Sequence, residues 1–379
     1  MRASIFTVVL IFSAAVSAQT QLPEVSNGEV YFEAGRYGGW PANGGIWNWG
    51  DEIVTVFTRG YYNVDTKGLH PIDRNRPSGK AQARSTDGGV TWTLENPTFM
   101  AEEGKEKPVT ALSEAMDFAN PDFALMFIMD KFVYSTDRCK TWNGPYELPK
   151  FGRPGLLART DYLINGPKDL LAFMATQKDD KDEGWPAAIR TRDGGHTWTL
   201  EGLVGEQPKK DEYSIMPSTV RLKDGALFSW IRHCRVMEDG KEVRFVDAWR
   251  SPDDGKTWEH LKEDRIDNSG NPPHMIRLAD GRLVVTYGVR QEPLGIRARI
   301  SSDEGKTWGE EFILRGDGGG PDLGYPRTVQ RADGNVSRSI TLTTANARSV
   351  LLRIRYGRRP GSSVAYNTIG PVRFGGRRA

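Results

Sequence analysis

The chain reads as an all-β repeat fold, and three features of its 379 residues predict it. One octapeptide recurs five times. A second motif, built on an Asp-Gly turn, recurs three times. The composition, rich in Gly and Trp with moderate charge, suits a globular β protein. The octapeptides are STDGGVTW (Ser85 to Trp92), STDRCKTW (Ser135 to Trp142), TRDGGHTW (Thr191 to Trp198), SPDDGKTW (Ser251 to Trp258) and SSDEGKTW (Ser301 to Trp308). Their Asp residues, 87, 137, 193, 253 and 303, stand 50 to 60 residues apart. A repeat of that length with one turn per unit marks a radial or stacked architecture.

Each position of the octapeptide suits a tight turn between strands. The Asp accepts hydrogen bonds from backbone N–H groups of its own turn. The Gly tolerates the positive φ that a hairpin requires. The Trp is large and apolar with one N–H, and packs between neighbouring sheets. Strand-like residues precede the turns, as in 131–134 (KFVY) and 296–300 (IRARI). Cys139 replaces Gly in the second copy, which predicts a less regular turn there.

The second motif spans Met216 to Gly225, Pro272 to Gly281 and Tyr325 to Gly334, each with a Pro eight residues before the Gly. It predicts an inner strand, an Asp-Gly hairpin and a second strand. The second strands of the first two copies are apolar, 226–231 (ALFSWI) and 282–287 (RLVVTY). The third copy continues instead as 335–344 (NVSRSITLTT).

The N-terminus predicts an export signal over residues 1–18: Arg2, then an apolar run from Ile5 to Ala15, then Val16-Ser17-Ala18 before the cleavage point. That run is too short to span a bilayer, and no later segment is apolar enough to do so. The expected location is secreted or periplasmic, with 361 residues after cleavage at Ala18. Cys139 and Cys234 lie in different repeats and are expected to be unpaired. No cluster with zinc spacing, phosphate-binding loop, calcium loop or basic helix occurs, so no metal, nucleotide or nucleic-acid partner is expected.

The octapeptide, five times in register, resembles the Asp box of sialidases and BNR-repeat proteins, over about Glu29 to Val336. The resemblance implies a six-bladed β-propeller of four-stranded antiparallel blades, with residues 19–336 as its body. It also implies an active site on the inner strands at the propeller axis. There, three Arg hold a substrate carboxylate, because the planar guanidinium pairs with it bidentately. A Tyr assisted by a Glu attacks the anomeric carbon, and an Asp acts as general acid and base. Carried onto this chain, the Tyr is Tyr325. The acid/base is Asp73, ahead of Asp65 in the same loop. The carboxylate-binding arginines are Arg36, Arg232 and Arg297, with Arg290 as the alternative to Arg297 and Arg59 as a further candidate. Where the family has its Glu, this chain has Met216, and Glu212 lies four residues earlier as a substitute. An unassisted phenol, with a pKa of about 10, is a weak nucleophile at neutral pH. Trp40, Trp47 and Trp49, with Tyr61 and Tyr62, either pack blades together or offer flat faces to a sugar.

The expected function is that of a secreted exo-α-sialidase-like glycoside hydrolase releasing a terminal acidic sugar, sialic acid first, from a glycan. No organic cofactor is implied. The rivals are a glycosidase or lyase for another acidic sugar, and a non-catalytic carbohydrate-binding propeller; Met216 favours either.

The last 43 residues, 337–379, contain nine Arg and no Asp, Glu or Lys, so the net charge of +2 leaves −7 on the rest. One reading is a basic interaction tail. The preferred reading is a shift of reading frame near Val336. Codons for 337–350 can be chosen so that dropping two bases yields Ser-Leu-Tyr-Tyr-Phe-Asp-Asp-Gly-Glu, an apolar strand followed by an Asp-Gly turn, as the repeat demands. Resequencing the gene across codons 330–379 tests this: a gained or lost base near codon 336 is expected, and an intact frame leaves the tail reading.

Overall fold

A computed structural model of the chain describes residues 24–63, 70–331, 333–334, 336–343 and 347–355, with backbone alone for 24–27, 337–343 and 347–355. The export-signal residues, Asp65 and the chain beyond 355 lie outside the described residues. Among those described, one short 3-10 turn, Pro41–Asn43, is the sole helical element.

The strands group into six sheets of three to five strands, plus a small ribbon at Met100–Glu102 and Lys105–Glu106. The first sheet holds Arg36–Gly39, Gly45–Trp49, Glu52–Tyr61, Gly79–Ser85 and Thr93–Glu95. The second holds Ala124–Ile128, Lys131–Ser135 and Asn143–Glu147. The third runs from Leu156–Leu157 to Thr199–Leu203, the fourth from Tyr213–Arg221 to Glu259–Ile266, and the fifth from Pro273–Arg277 to Phe312–Arg315. The sixth pairs Gly324–Gln330, Val336–Thr343 and Ala347–Arg355 with the first described strand, Glu24–Tyr31. Neighbouring strands are antiparallel in each, and the whole is a β-propeller.

The five octapeptides share one hydrogen-bonded turn. In the first, Ser85 Oγ donates to Asp87 Oδ1 at 2.8 Å and accepts from Gly89 N at 2.7 Å. The Asp87 carboxylate accepts from Val90 N, Thr91 N and Thr91 Oγ1. Thr141, Thr197, Thr257 and Thr307 donate their hydroxyls in the same way to Asp137, Asp193, Asp253 and Asp303, at 2.6 to 2.8 Å. The second turn is as regular as the others, contrary to the expectation from its missing Gly. Cys139 itself adopts a φ of 62° and its N–H donates to Ser135 Oγ at 2.9 Å. Its burial in the Trp47, Trp142 and Met126 cluster holds a conformation that costs a non-glycine residue about 1–2 kcal/mol. Cys139 and Cys234 are both free thiols.

The tryptophan of each octapeptide packs on the sheet before it. Trp142 meets Trp47 of the first sheet at 5.5 Å, and its Nε1 donates to Gln82 Oε1. Trp198 meets Phe127 and Phe132 of the second sheet, Trp258 meets Phe173 of the third, and Trp308 meets Phe228 and Trp230 of the fourth. Trp92 packs against a cluster shared by Val30 and Tyr31 of the sixth sheet and Phe57, Ala81 and Ala83 of the first. Asp-Gly hairpins follow the first strands of the fourth, fifth and sixth sheets, where Gly225, Gly281 and Gly334 have φ of 83° to 90°.

Removing one turn carboxylate strands the donors it collects. Asp193→Ala is expected to lower stability by roughly 1–2 kcal/mol, measured by urea denaturation. The Thr91 hydroxyl and N–H hold Asp87 below the ordinary carboxylate range, and Thr307 does the same for Asp303. These carboxylates bind protons more weakly folded than unfolded. Their contribution is therefore complete above the unfolded value of about 4 and is lost as pH falls through the lower folded values. Urea midpoints are expected to fall steeply below about pH 4.

Candidate active site

Two inner strands carry the same irregularity. The Tyr213–Arg221 strand slips register between Ile215 and Ser218, and the Gly324–Gln330 strand slips between Gly324 and Arg327. At these bulges Met216 and Tyr325, each followed by Pro, take φ of 55° and 50°. Trp40, at the entrance to the 3-10 turn, takes a φ of 54°. Left-handed backbone costs a bulky residue about 1–3 kcal/mol, and such strain gathers at functional sites. All three lie in one cluster with Ala42, Leu157, Ala175 and Ile215, drawn from widely separated sheets. The bulges turn Met216 and Tyr325 toward one another, and the 3-10 turn brings Trp40 to them.

Charged groups surround the Tyr325 ring. Arg290 stands over it, with its guanidinium carbon 5.5 Å from the ring centroid. Arg232 reaches the Tyr325 phenol and also donates to Tyr213 Oη at 3.1 Å and Met216 Sδ at 3.7 Å. Arg159 faces Tyr325, Arg232 and Glu183, and its Nε donates to Asn43 Oδ1 at 2.7 Å. On the remaining side His70 and Trp40 approach, each with ring centroids 6.3 Å from Tyr325. On the Gly79–Ser85 strand of the first sheet, Lys80 donates to the Asn43 carbonyl, and burial pushes it down to about 8. Beyond it a cavity of about 150 Å³ lies between Asp161, His274 and Arg327. Burial pushes Asp161 up to about 7 and Arg327 down to about 10.

Beneath Arg232 runs a polar chain that is buried up to Asp247. Ser214 Oγ lies 2.8 Å from His233 Nδ1, His233 Nε2 lies 2.5 Å from Asp247, and His260 Nε2 lies 2.8 Å from the same carboxylate. Arg235 ties it to the Tyr213 carbonyl at 2.9 Å. These residue types also build nucleophilic triads. Ser214, His233 and Asp247 are here all buried, and the chain fixes the strand that presents Tyr213 and Met216.

The side chains singled out in the sequence divide between this site and other places. Tyr325, Arg232 and Arg290 come together. Arg36 pairs with Glu103 and lies over Tyr61. Arg59 donates to Tyr31 Oη and Glu33. Arg297 is buried, donating to the carbonyls of Arg315 and Pro293 and pairing with Glu311, so it ties down the edge of the fifth sheet. Glu212 accepts from the N–H groups of Val236 and Lys209 and closes a strand end. Asp73 accepts from Asn75 N within its own turn. Trp47 and Trp49 are packing residues: Trp47 meets Trp142 edge-on, and Trp49 Nε1 donates to the Pro121 carbonyl. Trp40 alone of the three faces the site. His70, Asp322 and Arg159 escaped the sequence reading. Arg159 lies in a connection between two strands of the third sheet, which has no Asp-Gly motif, and His70 in a loop outside the repeat. Asp322 stands only three residues before Tyr325, and that proximity was the one usable signal.

A concavity of about 940 Å³ lies elsewhere, between Phe132, Tyr146, Lys150 and Trp198. It is open, and neither the strained residues nor the arginine group faces it. The convergence at the axis therefore marks the better candidate.

A model of the BNR repeat-like domain matches residues 122–337. No curated protein matches the sequence. Among solved structures, the chain is similar to a protein of unknown function from Dyadobacter fermentans, at 22% identity and a TM-score of 0.66, over 87% of this chain and 99% of that one. It is similar to Trypanosoma rangeli sialidase in complex with sialic acid, at 13% identity and 0.56, over 88% of this chain but 59% of that one. It is also similar to the α-L-arabinofuranosidase Arb93A of Fusarium graminearum, at 12% identity and 0.59, over 87% and 97%. At such identities the likeness is one of fold. The family match spans more than half of the 379 residues, and the chain belongs to the BNR repeat-like domain family.

Proposed function

We propose that this protein is an exported glycoside hydrolase that releases a terminal acidic sugar, sialic acid in the first place, from glycans. Its six sheets serve as the blades of one ring, with the site at their axis. One observation carries the reading: Arg232 and Arg290 flank the Tyr325 phenol with buried N–H groups that have no acceptor among the described residues, Nε of Arg232 and Nε and Nη2 of Arg290. Leaving a charged donor buried and unpaired is costly, and a substrate carboxylate would supply an acceptor that the described residues do not. Arg159 adds a third guanidinium, and Lys80 and Arg327 add positive charge behind it. The shared fold of a sialidase and an arabinofuranosidase supports glycoside hydrolysis as the class.

Met216 favours a second reading. It occupies the bulge where the sialidase pattern has a Glu, and it contributes a thioether to the pocket in place of a carboxylate. A glycosidase or lyase for another acidic sugar fits that exchange.

The test is release of sugar from acidic glycosides by the purified full chain. Tyr325→Phe is expected to lose at least about 100-fold in kcat, with binding of the acidic sugar kept. Arg232→Ala is expected to weaken that binding roughly 10- to 150-fold, the worth of a hydrogen bond to a charged group. A fully active Phe variant removes Tyr325 from the chemistry. Tight binding without turnover by the unaltered protein assigns it to the carbohydrate-binding propellers.

A further inference from the structure

We infer that His70, held in place by Asp322, is the proton donor and acceptor of the axial site. The inference rests on the reading of Tyr325 and its arginines as that site, and it moves the acid/base role from Asp73 to an imidazole.

Asp322 is 1% exposed and collects three donors. Tyr37 Oη donates to one of its oxygens at 3.0 Å and Trp40 Nε1 to the other at 2.9 Å, while His70 Nδ1 lies 2.7 Å from the latter. A carboxylate so engaged orients its neighbours and is badly placed to react. The imidazole is better placed. Its side chain is 25% exposed, its ring meets Trp40 edge-on at 4.9 Å, and its centroid lies 6.3 Å from that of Tyr325. With Nδ1 directed at Asp322, Nε2 lies on the opposite edge of the ring and is the nitrogen that exchanges protons. The strained backbone of Trp40 has a purpose in this arrangement, since it brings the indole to both Asp322 and His70. Asp73 instead accepts from Asn75 N inside a loop turn.

The chemistry balances with water as the sole co-reactant. Tyr325 gives its phenolic proton to solvent, with the Arg232 guanidinium as counter-charge, and its oxygen forms a bond to the anomeric carbon. The glycosidic C–O bond breaks with its electron pair on the departing oxygen, which takes the Nε2 proton of the His70 imidazolium. In the second half, water attacks the anomeric carbon and gives a proton to His70 Nε2. The bond to Tyr325 breaks, and the electron pair returns to the phenolate. Asp322 is a positioning residue that fixes the ring in both halves.

Two sialosides that differ in leaving group separate the roles: sialyllactose, which needs a proton on its departing oxygen, and 4-methylumbelliferyl sialoside, which scarcely does. His70→Gln is expected to lower kcat on sialyllactose about 100- to 10,000-fold with KM little changed. The aryl sialoside should lose far less once azide, a nucleophile that needs no base, is added. Asp322→Asn is expected to lower kcat on sialyllactose tenfold or more in the same selective way. Thermal unfolding is followed alongside; where His70→Gln is unstable, rescue of His70→Gly by free imidazole decides, because only a folded site can be rescued. Equal losses on both substrates without azide or imidazole rescue, or full activity on both, overturn the assignment while Tyr325→Phe still tests the site. An unaltered protein that releases sugar from neither sialoside overturns the underlying reading, and this inference with it.

Discussion

The packing of each octapeptide tryptophan on the preceding sheet is the contact on which the rest of this fold depends. A single twisted sheet has two faces to cover, and here the neighbouring sheet covers them. The turn carboxylate fixes the loop, the loop fixes the direction of the indole, and the indole sets the spacing to the sheet before it. Because the same turn recurs five times, the same spacing recurs around the ring. The substitution of Gly by Cys139 leaves this geometry unchanged, which shows that packing around the turn, and not backbone freedom alone, sets its shape.

What the ring achieves is convergence. Inner strands from distant parts of the chain meet at the axis, and bulges at Met216 and Tyr325 turn their side chains inward. Arginines that would repel one another in isolation are brought together around a phenol. Part of that cost is met by Asn43, Tyr213 and backbone carbonyls. Among the described residues, N–H groups of Arg232, Arg290 and Arg327 are left without an acceptor. The pocket is thus polarised for an anion although the chain before Ser337 carries a net charge of −7.

Much of this was legible in the sequence, and the limits have physical causes. The octapeptides and Asp-Gly hairpins were readable because turn geometry restricts which residues can stand at each position. Tyr325 and Arg232 were readable because they keep fixed offsets from those hairpins. Arg36, Arg59 and Arg297 look the same in sequence, yet each is held by groups that the repeat does not reveal: Glu103, Glu33 and a pair of carbonyls. His70 and Asp322 come from loops, lie 252 residues apart, and meet only because the ring brings their loops to one end of the axis.

The sixth sheet joins the first described strand, Glu24–Tyr31, to the strand Ala347–Arg355. In most sheets a strand finds its partner within a few residues of being made. Here the first strand waits while the five intervening sheets are synthesised, with an unpaired edge exposed throughout. Folding can advance sheet by sheet during translation, but closure is a single late event, governed by the slow search that distant strand pairing imposes. A ribosome that stalls or slips before codon 347 releases a chain whose sheets are formed and whose ring is open, with strand edges that invite pairing with another copy.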